Sequence, residues 1–440
     1  RTLARIEALQ PQLNAFVTVM AEEARRQARA LEQELADGLP PRPLHGIPIA
    51  VKDNIDVAGV RTTAGSRVRS DVMATADATV VARLREAGAV IVGKTATHEF
   101  AFGVTTDTPY HGPVHNPWRA GHTAGGSSGG SGAAVAARIV PAALGTDTGG
   151  SIRIPAAACG TVGFKGTYGL VSKHGVVPLS WSLDHVGPLA NSVDDAVRVL
   201  AAIAGPDPLD PTTLGPAQRA SSLMTGIDAG GDPADLRDVS IGLPAGWLED
   251  RIDPEVRARI DEALRLLAGL GARIEEVPYP PAGVMALINR ILALAEGGAY
   301  HAATLAQRGG DYAPDVRARF ELGLFLLAQD YLSALRLRTE VARMTYGALD
   351  RVTVLVTPTM PIPAPPLGQA VWSWPAGPEA VPDAMIRLTA PFSLIGFPAL
   401  CVPCGTAGGM PVSLQVVGRP LGEASTVRVG RALERALTGR

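Results

Sequence analysis

Two segments dominated by glycine and serine are the first places in this 440-residue chain where residue type and spacing point to chemistry. They are Gly125-Gly126-Ser127-Ser128-Gly129-Gly130-Ser131-Gly132 and Gly145-Thr146-Asp147-Thr148-Gly149-Gly150-Ser151. A flexible linker fits the first poorly, because a helical pattern follows at once instead of a new domain. A phosphate-cradling loop needs a lysine that neither segment has, and G-x-G-x-x-G is missing from the first. Gly126-Ser127-Ser128-Gly129-Gly130 does match the nucleophile elbow G-x-S-x-G, with Ser128 as nucleophile. That motif must follow a strand directly, and residues 119–124 have no strand character, which counts against it.

The second segment offers more. Two glycines at the end of a buried strand let successive N–H groups turn toward one point. The amides of Thr148, Gly149, Gly150 and Ser151 can then surround a developing oxyanion, with the Ser151 hydroxyl beside it. A serine nucleophile needs a base. His174, His185 and His301 have no distinguishing context. Lysine is scarce: of 40 basic residues only Lys52, Lys94, Lys165 and Lys173 are lysines. Unlike arginine, a buried lysine can lose its proton. Lys52 ends an apolar run and is the candidate base if burial keeps it neutral. A lysine base also predicts activity that climbs with pH to roughly pH 8–9. Lys94 and Lys165 are expected to satisfy local carbonyls or carboxylates.

His45-Gly46-Ile47-Pro48-Ile49-Ala50-Val51-Lys52-Asp53 resembles the lysine motif of the amidase signature hydrolases. The two glycine–serine segments, the second extended through Ile152-Arg153, resemble that family's serine motifs, with Ser127 and Ser151 24 positions apart. Asn116-Pro117-Trp118, Gly163-Phe164-Lys165, Ser182-Leu183-Asp184-His185 and Gly187-Pro188 extend the resemblance, which covers roughly 1–205 and 390–440. It implies a Ser–cis-Ser–Lys triad. Ser151 is the acylated nucleophile, Ser127, in cis linkage to Gly126, the relay, and Lys52 the final base. Thr148, Gly149 and Gly150 supply the oxyanion hole, Gly126 and Phe102 meet the substrate, and Asp147 and Arg153 brace the loop. The implied activity is hydrolysis of a C–N bond in a small apolar or aryl amide, or in a carbamate as a urethanase. No metal or cofactor is implied.

Three departures bear on subtype. Ile154 and His185 stand where the family's glutamine amidotransferase subunits carry glutamine, and Ser393 stands where many members carry asparagine. They favour a stand-alone hydrolase over a subunit supplying ammonia to a partner. A non-catalytic glycine-rich binding protein is the alternative of another class.

The elements that must position these residues follow from periodicity. Strands are expected at 47–51, 89–92, 139–144, 239–243, 273–277, 352–356, 399–402 and 411–417. Helices are expected at 1–35, 79–87, 129–138, from Asp253-Pro254 to about 270, and from 423. Residues 205–238 read as a proline-rich surface crossover and 357–382 as a long loop holding Trp372 and Trp374. The spacing indicates β-α-β units and a largely parallel sheet. The expected fold is α/β: a large mixed, mostly parallel sheet with helices on both faces, one domain of 1–440 with a helical cap at 283–350.

Composition closes other classes. Forty basic against 42 acidic residues leave no basic stripe for nucleic acid. No run of about 18 unbroken apolar residues predicts a membrane span. Three cysteines exclude a disulfide scaffold and fit the cytoplasm. His111, His115 and His122 are separated by Pro113 and Pro117, which break any helix that would align them on a metal. Cys401 and Cys404 read as buried thiols. Phe100, Phe102, Trp372 and Trp374 are candidates for a pocket wall. The expected partner is a small-molecule amide or carbamate, and a homodimer is left open.

Overall fold

The computed structural model describes residues 1–215, 232, 234–249 and 251–439. Its strands, in chain order, are β1 (Phe16–Val19), β2 (Pro48–Lys52), β3 (Val90–Thr95), β4 (His115–Asn116), β5 (Arg119–Thr123), β6 (Ala142–Asp147), β7 (Val162–Lys165), β8 (His185–Ala190), β9 (Ser240–Pro244), β10 (Arg273–Val277), β11 (Val354–Pro358), β12 (Val371–Trp374), β13 (Gly377–Ala380), β14 (Ala399–Ala407) and β15 (Met410–Val417). Eleven of them form one sheet in the order β1-β3-β2-β6-β8-β7-β14-β15-β11-β9-β10.

The sheet is mixed, as expected, but parallel pairs do not make up most of it. They join β3 to β2 to β6 on one flank and β11 to β9 to β10 on the other. The centre, from β6 through β15, is antiparallel. Part of that centre is a hairpin: β14 returns as β15 through Gly408-Gly409, both at positive φ as a tight two-residue turn demands. The β-α-β spacing read from sequence describes the flanks only.

Side-chain alternation splits the interior into two layers. Along β2, Ile49 and Val51 join the core on one face, with helices Thr79–Glu86, Val193–Ile203, Pro254–Gly269 and Glu423–Thr438. Ala50 joins the other, with Gly129–Ala136 and Arg153–Cys159. Lys52 lies two residues past Ala50 and so shares the face on which the glycine–serine helix packs.

Three expectations are corrected. Residues 1–35 are not one helix: Thr2–Leu13 and Ala21–Ala36 flank the edge strand β1. Asn14 turns left-handed (φ 52°), and the β-branched run after it pairs with β3. Residues 119–124 do contain a strand, β5, paired with β4 outside the main sheet and bridged to Pro366 through His122. The 357–382 loop carries the β12–β13 hairpin. A helix that the periodicity does not predict, Arg153–Cys159, begins two residues after Ser151 and ends at left-handed Gly160. Of the crossover at 205–238, residues 216–231 and 233 lie outside the described residues.

The segment expected as a cap is helical, as Ala282–Arg308, Pro314–Gly323 and Ala328–Leu349. By length and composition its first helix could cross a bilayer, although charged and polar residues interrupt its apolar run. Here 56% of its most apolar window is buried within the protein, and Asn289, Glu296 and His301 sit among the buried positions.

Candidate active site

β2 delivers Lys52 into the interior, where it is fully buried. Its Nζ donates to Ser127 Oγ at 2.7 Å and to Thr146 Oγ1 at 2.7 Å. Among the described residues no carboxylate is paired with it. Burial lowers its pKa from the ordinary 10.5 to about 7, against the opposing pull of Asp184 and Asp147. The other buried lysines are placed as expected. Lys94 lies 3.0 Å from Asp53 and bonds Thr62 and the Arg61 carbonyl. Lys165 donates to the carbonyls of Phe397 and Gly166.

Ser127 is joined to Gly126 by a cis peptide bond. A Cβ at Gly126 would sit 2.7–2.9 Å from the backbone of residues 104–106, so only glycine fits this close approach. Gly126 packs there and is not among the residues lining the cavity described below. The Ser128 N–H donates to the Ser151 carbonyl at 3.3 Å, tying the two serine segments together. The Ser128 side chain is buried between the N–H and C=O of Thr146, 3.3 Å from each. It does not line the cavity, which removes the elbow reading on a different ground from the one expected.

β6 ends at Asp147, and the next residues turn sharply. Arg153, fully buried, grips Asp147 through Nε at 3.0 Å and Nη2 at 2.9 Å. It also donates to the Thr389 carbonyl at 3.0 Å, to Ser393 Oγ at 2.6 Å and to Gln415. Burial opposes the Asp147 charge, but Arg153 outweighs it and holds the carboxyl far below the usual range. Gly150 has φ 144°, and a Cβ there would meet Thr389 Oγ1 at 2.2 Å. Among the described residues the N–H groups of Gly149, Gly150 and Ser151 find no acceptor within the chain. Thr148 is held at both ends: its hydroxyl donates to Asp184 at 2.6 Å, and its carbonyl accepts from Asn289 at 3.1 Å.

This turn opens on a cavity of about 330 Å³. Thr148, Gly149 and Ser151 form its floor, and Phe102, Leu294 and Ile386 are among its walls. Arg290, paired with Asp383, and Arg319, 3.1 Å from Asp315, supply charge. Arg319 also lies 5.6 Å from the Phe102 ring centroid. Phe100 is packed instead against His301, Tyr312 and Phe320. Trp372 and Trp374 belong to the hairpin; neither lines the cavity, although Ala380, the hairpin's last residue, and Pro382 and Asp383 just beyond it do. His111 bonds Thr63 at 3.3 Å.

Thus Lys52 and Ser127 are in contact, and Thr148, Gly149, Ser151 and Phe102 share one cavity. Sequence reasoning missed Thr146, Asn289 and Glu296. Thr146 sits inside the second glycine–serine segment, where its neighbours carry the stronger signal. Asn289 and Glu296 were legible as polar interruptions of an apolar helical stripe, seven residues apart.

A family model for amidases matches residues 1–427. An amidase of Pseudomonas putida is 42% identical over 99% of this chain and 91% of its own length. A glutamyl-tRNA(Gln) amidotransferase subunit of Roseiflexus sp. (strain RS-1) is 39% identical over 98% of this chain and 91% of its own. The crystal structure of a bacterial aryl acylamidase of the amidase signature enzymes superposes with a TM-score of 0.88 at 28% identity, covering 99% of this chain and 91% of the other. The chain belongs to the amidase signature family of hydrolases.

Proposed function

We propose that this protein is a stand-alone hydrolase of small apolar or aryl amides, and of carbamates, working through an acyl-enzyme on Ser151. The carrying observation is a fully buried lysine, with no carboxylate paired to it among the described residues, 2.7 Å from Ser127 Oγ, in a segment tied through the Ser128 N–H to the carbonyl of Ser151, which lines an apolar cavity. With its pKa near 7, Lys52 is substantially neutral in mildly alkaline solution. It draws a proton from Ser127 as Ser127 draws one from Ser151, and Ser151 Oγ attacks the carbonyl carbon. The free amides of Gly149, Gly150 and Ser151, with Thr148 placing the turn, receive the oxyanion. The proton returns through Ser127 to the leaving nitrogen, the C–N bond breaks, and the amine departs. Water, activated by the same relay, then releases the acid.

The apolar wall of Phe102, Leu294 and Ile386 supports an apolar or aryl acyl group, and the charged side chains at the cavity are already paired. We read residues 1–440 as one domain, and the three buried thiols fit a cytoplasmic setting. Hydrolysis of a panel of p-nitroanilides, aliphatic amides, aryl carbamates and glutamine tests the assignment. It requires turnover of the first three classes that disappears in Ser151→Ala, and a fluorophosphonate adduct on Ser151. The amidotransferase relatives support a second reading, a subunit releasing ammonia from glutamine. Glutamine as the preferred member of the panel would establish it.

A further inference from the structure

We infer that the cap helix Ala282–Arg308 is a second anchor of the oxyanion turn, with Glu296 as a positioning residue; this rests on the nucleophile assignment above. Asn289 and Glu296 are seven residues apart, two turns of helix or about 10 Å, and so point the same way. Asn289 holds the Thr148 carbonyl directly. Glu296 acts at one remove. It is 1% exposed, and its carboxylate accepts from Ser180 Oγ at 2.7 Å, the Ser182 N–H at 3.1 Å, Ser182 Oγ at 2.6 Å and Tyr331 Oη at 2.9 Å. Three of those donors belong to the loop 180–184. The same loop carries Asp184, which accepts from the N–H groups of Leu179 and Ser180 and from the Thr148 hydroxyl. Both supports of Thr148 therefore trace to one helix, whose Ala286, Asn289, Ala293 and Leu294 also line the cavity. Buried carboxylates persist only where donors saturate them. Here the saturation is spent on a loop that touches the reacting turn through one side chain.

Glu296→Leu removes the clamp without touching the cavity. It should lower kcat on a p-nitroanilide between about tenfold and about a hundredfold with little change in KM, the pattern of donors displaced from the transition state. Affinity for an aryl boronic acid, which mimics the tetrahedral species, should fall in parallel, while affinity for the product carboxylic acid stays within about twofold. Glu296→Gln should recover most of both losses, because the hydroxyls of Ser182 and Tyr331 can turn to accept from the amide. Should Glu296→Leu fail to fold, the double variant Ser180→Ala, Ser182→Ala reads the same constants from the loop side. Unchanged kcat and boronate affinity overturn the inference, and so does an equal loss of boronate and product affinity. Fluorophosphonate labelling of the unmodified enzyme separates the two failures. Without an adduct on Ser151 the nucleophile assignment falls first; with it, an indifferent Glu296→Leu overturns the clamp alone.

Discussion

Replacing Lys52 by methionine removes a titrating group from the interior and keeps most of its volume. The folded pKa is about 7 against an ordinary 10.5, so between those values the unfolded chain holds a proton that the folded chain does not. Stability from this group therefore rises with pH across that window, and its cost is fully present below pH 7. At about 1.4 kcal/mol per pH unit the whole gap is worth about 5 kcal/mol, of which about 4 remains at pH 7 and about 1 to 1.5 near pH 9.5. Methionine also leaves Ser127 Oγ without its donor, at about 1 to 3 kcal/mol. Thr146 Oγ1 keeps its bond from Asn54 at 3.3 Å. Near pH 7 the variant is expected to be as stable as the parent or more so. Near pH 9.5 the comparison should have moved against it by about 3 kcal/mol. Urea unfolding of both proteins at the two pH values measures this directly. A difference that stays constant between them would refute the depressed lysine, and with it the neutral base.

Ser151→Ala should abolish both turnover and fluorophosphonate labelling, while Ser128→Ala keeps most of each; intact-mass localisation of the adduct on Ser128 would reverse the assignment. The rise of kcat/KM with pH should be centred near the Lys52 value of about 7, lower than the alkaline range expected for a lysine from sequence alone, because burial is complete. Asp184 is anionic above its own raised pKa of about 6, where burial is the leading cause, and its charge lifts that of Lys52. Asp184→Asn should therefore move the rise to lower pH, and a midpoint that stays put or climbs would contradict the coupling. Arg153→Met strands a buried Asp147 and should destabilise by about 3–5 kcal/mol in denaturant melts. Arg153→Lys should rescue little, since one ammonium cannot replace a planar fork that serves Asp147, Thr389, Ser393 and Gln415 together.

The parts of the site written contiguously were legible. The apolar run into Lys52, the Gly126-Ser127 pair and the turn ending in Ser151 each carry their own signal in residue type. Phe102 was reachable only through the family resemblance, since nothing local separates it from core Phe100. The fold was less transparent wherever tertiary pairing overrides local pattern. Residues 16–19 sit between two helical stripes and extend because the edge of β3 lies open to them. Helix Arg153–Cys159 begins two residues past Ser151 and ends on Gly160, in a glycine-rich stretch whose periodicity predicts no helix. The supports of the turn, Asn289 and Glu296, lie more than 130 positions from Thr148, and one-dimensional spacing has no means of pairing them.

Arg153 draws its partners from residues 236, 240 and 262 positions further along the chain. Synthesis runs from the N-terminus, so Lys52, Ser127 and Ser151 all leave the ribosome long before Thr389, Ser393 and Gln415 exist. Until then the guanidinium has Asp147 alone, and the turn behind Ser151 has no wall to hold it. The nascent chain should therefore carry no reactive serine for most of its translation and gain one only when the β14–β15 hairpin closes. Chains truncated after residue 388 should accordingly fail to take up fluorophosphonate even though every side chain of the proposed triad is present. Labelling of such a chain at the full-length rate would show that the turn sets without its distant partners.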